Sequence, residues 1–504
     1  MKGKFQWIIL ILLLTRPLYG QLIQPIRYEY RLDPQDEPFE VVEVEDNNLI
    51  IFRKTNIRDP EGDAWEFIKL DVEFKELWRK LIFIDPKVYI ARFASRLDHL
   101  YLLMLNTAGR KTDLLLVDVD SHGGAATQRT IDNLIPFNLT IFEVSQSGVY
   151  IGGTYNYRPI VLYFNFEKNK SRILPGFFHD KSELIQIKVN DSETTDVILS
   201  GTSFGSKSKK TLQIKTFDIE GNAVKDIILE PSNNHSLLFG RSCYVDDMHV
   251  IAGTYATKNT LYSKGLFLAG INNFGEYDLK YYNYGNLSNF FSYMKAKREK
   301  RIKERISRRK IKNKQLRFNY RLLVHDIINY SGTYILLGEA FYPSYKHPTS
   351  ASIAGFFQPF GRTPGEVVFD GYRYTHAVVA AFDGSGKLLW DNSFEINDIK
   401  TFQLEQFVHA SVSDDNIALL YAYDNMIRSK IVKGGEVLEG KSYNDIELKF
   451  QSDELKKSSS SLAGLEQWYD NAFYAYGVQD IKNIKDAGVV TIRRVFYINK
   501  VIYE

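Results

Sequence analysis

A short motif returns along this chain: apolar residues climb to a small residue, usually glycine, and a polar or aromatic segment follows. It reads Val149-Tyr150-Ile151-Gly152-Gly153-Thr154, Val197-Ile198-Leu199-Ser200-Gly201-Thr202, Val250-Ile251-Ala252-Gly253-Thr254 and Tyr334-Ile335-Leu336-Leu337-Gly338-Glu339. Repetition at a fixed period decides architecture before any single residue does, because each repeat buries its apolar faces only against its neighbours. With the end of each climb as a ruler, Phe52, Leu105, Tyr421 and Gly477 join the series. Successive spacings are then 53, 48, 48, 52, 85, 83 and 56 residues. Five cluster near fifty, and the two long ones hold insertions.

Each unit repeats one order of parts. An alternating strand such as Leu139-Thr140-Ile141-Phe142-Glu143-Val144 precedes the climb, and a third strand, a polar turn and a fourth strand follow. The turn is Asp/Asn-x-x-Gly at Asp120, Asp218, Asn272 and Asp383, a composition suited to a tight reversal between paired strands. Four strands per unit and a period near fifty describe an all-β fold, a β-propeller of four-stranded blades spanning residues 21–504. The count favours eight blades, with seven as the alternative. Glycine at the end of a climb is expected to let neighbouring blades approach closely. The strand Tyr28-Glu29-Tyr30-Arg31-Leu32 is expected to complete the last blade, which would leave no open sheet edge.

These units resemble the bacterial propeller repeats of the SBBP kind, in which a Gly-Thr-ended strand is followed by a strand and an Asp-x-x-Gly turn. Asp383-Gly384-Ser385-Gly386 with Leu389-Trp390 is also similar to a single PQQ-propeller repeat. The resemblance covers the third to sixth units and implies a blade, not an activity.

Composition excludes wholesale disorder, with 44% hydrophobic and 14% aromatic residues. Residues 1–20 carry Lys2 and Lys4, the apolar run Trp7 to Leu14, and Arg16-Pro17-Leu18-Tyr19-Gly20, the parts of a signal peptide. The run is too short to cross a hydrocarbon layer of about 30 Å. Export to a periplasm, an outer cell surface or the extracellular space is expected. Cys243 is the single cysteine, so no intramolecular disulfide forms and packing must hold the fold. An exported, disulfide-free protein of this size suits a bacterial cell envelope.

The first insertion, residues 293–317, is expected to be a basic helix. From Lys295 to Arg317 it holds 13 basic and 2 acidic residues, a net of +11 in a chain whose total is +3. It contains no glycine or proline, and Ile302 and Ile306 lie four apart on one face. Lys297, Arg301, Arg305, Arg308 and Arg309 are the candidate partner-binding cations, beside the plainer reading of a solvated surface helix. The expected partner is a protein or an anionic surface polymer, with an anionic membrane surface as the alternative. Nucleic acid is disfavoured because an exported protein rarely meets it. The second insertion, residues 342–372, adds Phe356, Phe357 and Phe360 among Gly, Pro and Ser residues, either tucked over the fold or offered to a partner.

No catalytic residue, cofactor or metal is assigned. The chain has no His-Glu-x-x-His, phosphate-cradling glycine loop or nucleophile elbow. Asp118, Asp120 and His122 have the alternation of ligands on one strand face, but Asp120 also opens a recurring turn, and that structural reading is preferred. Glu339 stands where the other units place Thr154, Thr202 and Thr254, which makes it a candidate for a channel-facing carboxylate. Two function classes follow: a non-enzymatic interaction propeller, or a carbohydrate-active or other hydrolytic propeller working through paired carboxylates.

Overall fold

Each repeat folds as an antiparallel sheet, and in all but the sixth and the last the strands lie side by side in chain order. A computed structural model of the protein describes residues 22–106, 114–177, 181–202, 209–232, 234–245, 248–257, 260–314, 316–346, 367–413, 416–458, 464–484 and 490–503. The expected signal peptide, residues 1–20, lies outside them. Seven blades follow one another, at 40–84, 88–131, 138–173, 183–229, 235–283, 321–401 and 409–445. The eighth is built from strands within 453–503 together with the N-terminal strand Leu22–Leu32. The fold is an eight-bladed β-propeller. Chain contacts divide it into two units: Phe39–Val408 carries the first six blades, and the segments on either side carry the last two.

The climbing strands are continuous apolar runs, not alternating ones, because a sheet between two others is covered on both faces. In the third blade, Val149 and Ile151 pack with Leu103 and Leu116 of the second. Tyr150, between them, points the other way and joins Ile187, Val197 and Phe217 of the fourth. In the fifth blade, Ile251 faces Ile198 and Ile214 of the fourth, while Val250 and Ala252 face Leu336 and Val378 of the sixth. One strand therefore serves two inter-blade cores.

The glycines at the ends of these strands have two separate jobs. A methyl group on Gly152 would sit 2.6 Å from Leu184 Cδ2 and 2.7 Å from Ile187 Cδ1, so this residue clears the way for the next blade. Gly153 and Gly253 differ from that expectation, because their tight neighbour is the first strand of their own blade. A methyl group on Gly253 would lie 1.9 Å from the Phe239 carbonyl oxygen, and one on Gly153 would lie 2.2 Å from that of Asn138. Each faces a place where the first strand slips register, between Leu139 and Ile141 or between Leu237 and Phe239. The bulge pushes a carbonyl toward the partner strand, and only hydrogen fits there. In the turns after the third strands, Gly221 and Gly386 take φ of 75° and 79°, the left-handed region that glycine enters without penalty.

Two further departures from the repeat matter for function. Residues 284–320 leave the ring between the fifth and sixth blades and carry a helix. The sixth blade extends two of its strands to Thr333–Lys346 and Val368–Phe382, 14 and 15 residues, where most others have about eight.

The glycine account gives a direct test by urea denaturation. Gly253→Ala is expected to lower stability by roughly 3 kcal/mol or more through backbone displacement. Gly338→Ala, whose added carbon would find its nearest neighbour at 3.6 Å, is expected to stay within about 1 kcal/mol of wild type.

Candidate functional site

The basic insertion forms helix α1, Ala296–Ile311. Its residues are strong helix formers, and two glutamates precede lysine or arginine by four positions, the favourable orientation for such pairs. Glu299 and Lys303 meet at 2.7 Å, and Glu304 and Arg308 at 3.6 Å. Glu299 in the first turn and Arg308, Arg309 and Lys310 in the last complement the helix dipole. Asn313 ends the helix in a left-handed conformation, φ 50°. The Lys314 and Asn313 amides then bond back to the carbonyls of Arg309 and Lys310 at 2.9 and 3.0 Å.

No residue of α1 is fully buried, yet its ends are tied down. Ile302 and Ile306 pack against the core cluster that contains Tyr284, Leu287, Phe290 and Phe291. Before the helix, the Asp391 carboxylate accepts bonds from the Ser288 and Asn289 amides, both at 2.7 Å. Tyr293 stacks on His376 with ring centroids 3.7 Å apart and planes 4° from parallel. Burial pushes the His376 imidazole down to about 3, so it is neutral under Tyr293. After the helix, Tyr320 pairs with Ser263 of the fifth blade. The helix thus rests on the fifth and sixth blades through apolar contact in its middle and hydrogen bonds at both flanks.

Lys297, Arg301, Arg305, Arg308 and Arg309 are all exposed. Arg301, Arg305, Arg308 and Arg309 line one shallow groove with Lys312 and the exposed Ile311. Lys297 lies a turn earlier, four residues before Arg301, and does not line it. Arg308 is held by Glu304, whereas Lys297, Arg301, Arg305 and Arg309 make no ion pair among the described residues. Phe356, Phe357 and Phe360 lie outside the described residues. The sheet leading toward them carries other aromatics: Tyr345 and Phe402 are exposed, and Phe369 meets Tyr345, Tyr372 and Phe402 edge-on.

Glu339 is fully buried. One carboxylate oxygen meets His325 Nε2 at 2.8 Å and accepts the Phe407 and Val408 amides at 2.8 and 2.9 Å. It fastens the chain that leaves the sixth blade. A Ser-His-Asp grouping that sequence spacing did not reveal is also structural. Ser242 Oγ lies 2.8 Å from His249 Nε2 and 2.7 Å from Asp196 Oδ2. Asp196 Oδ2 also approaches that same ring nitrogen, at 3.2 Å. A nucleophilic relay needs the carboxylate on the opposite ring nitrogen and the serine open to substrate. Here all three are buried, and they join the fourth blade to the fifth. Burial opposes ionisation of Asp196, but bonds from His249, Ser242 and Thr216 hold its carboxyl below the usual range.

Sequence reading also missed a charged group on the first strands of successive blades. The strands Asn138–Val144, Glu183–Val189, His235–Val245 and Arg321–Val324 are neighbours in that order. They bring Glu143, Gln186, Lys188 and Arg241 together with Asp326. Arg241 approaches Asp326 at 3.4 Å, and Gln186 donates to the same carboxylate at 3.2 Å. Burial, with the charge of Asp326 added, pushes the Glu143 carboxyl up to about 7, against the pull of Arg241, Lys188 and Arg96. The alternation of the strand 138–144 was visible, but partners some 45 to 180 residues away were not.

No family model and no curated protein matches this chain. Among solved structures, it is similar to the polysaccharide lyase Uly1 at 11% identity, over 95% of this chain and 99% of that one, with a TM-score of 0.41. It is also similar to the propeller domain of the Trilobed protease from Pyrococcus furiosus, at 10% identity over 81% and 95%, TM-score 0.37. A third similar structure is the Dos1 propeller, at 10% identity over 82% and 94%, TM-score 0.39. At these values none bears on activity, substrate or partner.

The inner-strand group predicts a pH effect. Glu143 has a folded pKa of about 7 against 4.5 in an open chain. Its protonated form therefore favours folding, a contribution present below about 4.5 and lost as pH rises through 7. Glu143→Gln is expected to exceed wild type in stability by roughly 1–3 kcal/mol at pH 8 and to match it at pH 4, read from urea midpoints.

Proposed function

We propose that this protein is an exported, non-enzymatic propeller scaffold of a bacterial cell envelope that holds an acidic protein or an anionic surface polymer on helix α1. The observation that carries this reading is the row Lys297, Arg301, Arg305 and Arg309. These cations recur every four residues along one stretch of helix and make no ion pair among the described residues. A helix anchored at both flanks presents them with little ordering cost, which favours recognition over a freely mobile tail. The sign of the local charge, opposite to that of the rest of the chain beyond its leader, favours an anionic partner and steers it.

A hydrolytic reading has one observation in its favour. A carboxyl group that titrates near neutrality, Glu143, stands in a group with a second carboxylate, Asp326, as acid and base catalysis of glycoside cleavage would require. Turnover in a glycan-hydrolysis screen that disappears in Glu143→Gln would favour it over the scaffold.

The scaffold reading is tested by salt elution from an immobilised polyanion such as polyglutamate. A variant with Lys297, Arg301, Arg305 and Arg309 changed to Gln is expected to elute at about half the salt concentration needed for wild type. A control with the exposed Lys75, Lys168, Lys170 and Lys449 changed to Gln, which removes the same charge, is expected to elute like wild type. Equal shifts in both variants would assign retention to net charge and end the reading.

A further inference from the structure

We infer that Glu45, Asp98 and His122 form a binding site for a divalent transition-metal ion, with Zn²⁺ the favoured occupant, at the junction of the first and second blades. The three residues stand on three different turns. Glu45 follows the first strand of blade one, Asp98 lies between the strands ending at Arg96 and beginning at His99, and His122 follows the strand Leu114–Asp120. One donor atom from each lies within 4.8 Å of the others.

The separation of His122 from Asp98 is that of two ligands, not of a hydrogen bond: Nδ1 and Oδ2 stand 3.6 Å apart. Asp120 Oδ1 lies as near to that nitrogen, at 3.5 Å, but already accepts the His122 amide. An N–H···O bond would close to about 2.9 Å. Two donors sharing one ion at metal–ligand distances of 2.0–2.2 Å stand roughly 3.4 Å apart. The imidazole separates this group from a cluster of carboxylates, which would suit a harder ion. One nitrogen and two oxygens suit zinc and its neighbours.

The surroundings hold two of the ligands in place without occupying them. The Ser121 amide donates to the Asp98 carbonyl at 2.7 Å, and Trp78 Nε1 donates to the Ser121 carbonyl at 2.8 Å. His99 binds Asp118 through Nδ1 at 2.6 Å and turns Nε2 toward Asp98 Oδ1 at 3.5 Å, the place of an outer partner that orients a ligating carboxylate. Asp120 is engaged by the amides of His122 and Gly123, so it closes its turn. Of the alternating trio Asp118, Asp120 and His122, only His122 therefore reaches the site. Glu45 is exposed and offers a carboxylate oxygen within 4.8 Å of the other two donors. With 65% of the His122 side chain exposed, ions have free entry. An ion here would cross-link two blades in a chain that has no disulfide.

Titration calorimetry of the full chain with Zn²⁺ tests the site. Wild type and the control Asp278→Asn, at an exposed carboxylate elsewhere, are expected to bind one equivalent. Asp98→Asn and His122→Gln are each expected to bind at least tenfold more weakly. In unmodified protein, Co²⁺ is expected to produce visible absorption bands and to shift the imidazole resonances of His122 while leaving those of His235 in place. Absence of saturable Zn²⁺ binding, a loss below tenfold in either variant, or unmoved His122 resonances would overturn the inference.

Discussion

A sheet that stands between two others must hide both of its faces, and most other features follow from that requirement. A sheet with one wet face can alternate apolar and polar residues, whereas a blade between two others cannot. The climbing strand of the third blade meets the demand by sending Val149 and Ile151 one way and Tyr150 the other. Covered faces also force polar groups between blades to satisfy one another. Asp196, Ser242, His249 and Thr216 bond to one another at one such seam, and Glu339 bonds His325 of its own blade and the chain that leaves it. These groups look like chemistry in isolation, but their burial makes them fasteners.

The same requirement explains what could be read from the chain. The period near fifty, the Asp/Asn-x-x-Gly turns and the closing role of the N-terminal strand were all legible because each depends on local pattern. The glycines were legible as crowded positions, but the source of the crowding was not. A bulge in the facing strand is a matter of register, and nothing in Leu139-Thr140-Ile141 announces the slip that brings the Asn138 carbonyl against Gly153. Helix α1 was legible from its residue types, and Asn313 was an available stop signal.

What the sequence hid was assembly across long separations. Glu143, Lys188, Arg241 and Asp326 belong to four different repeats, and each is unremarkable within its own. Glu339 stood out because it breaks a repeated threonine, a sound signal of special use. Its use, however, is to accept main-chain amides from Phe407 and Val408, which only the folded path brings near. The trio Asp118, Asp120 and His122 was scattered by the turn that follows the strand. One member pairs with His99, one caps the reversal, and one joins residues from two other turns.

The eighth blade binds the two ends of the chain. Leu22–Leu32 pairs along Val490–Tyr503, and Arg27 spans the join to reach Asn499 and Gln479, both at 2.8 Å. A strand made early thus waits for a partner made more than 450 residues later. Until that partner emerges, the early segment presents bare amides and carbonyls to any passing strand, another copy of itself included. Pairing across so long a stretch of chain is the kind of contact that forms slowly, and crowding of nascent copies is the circumstance under which it would go astray.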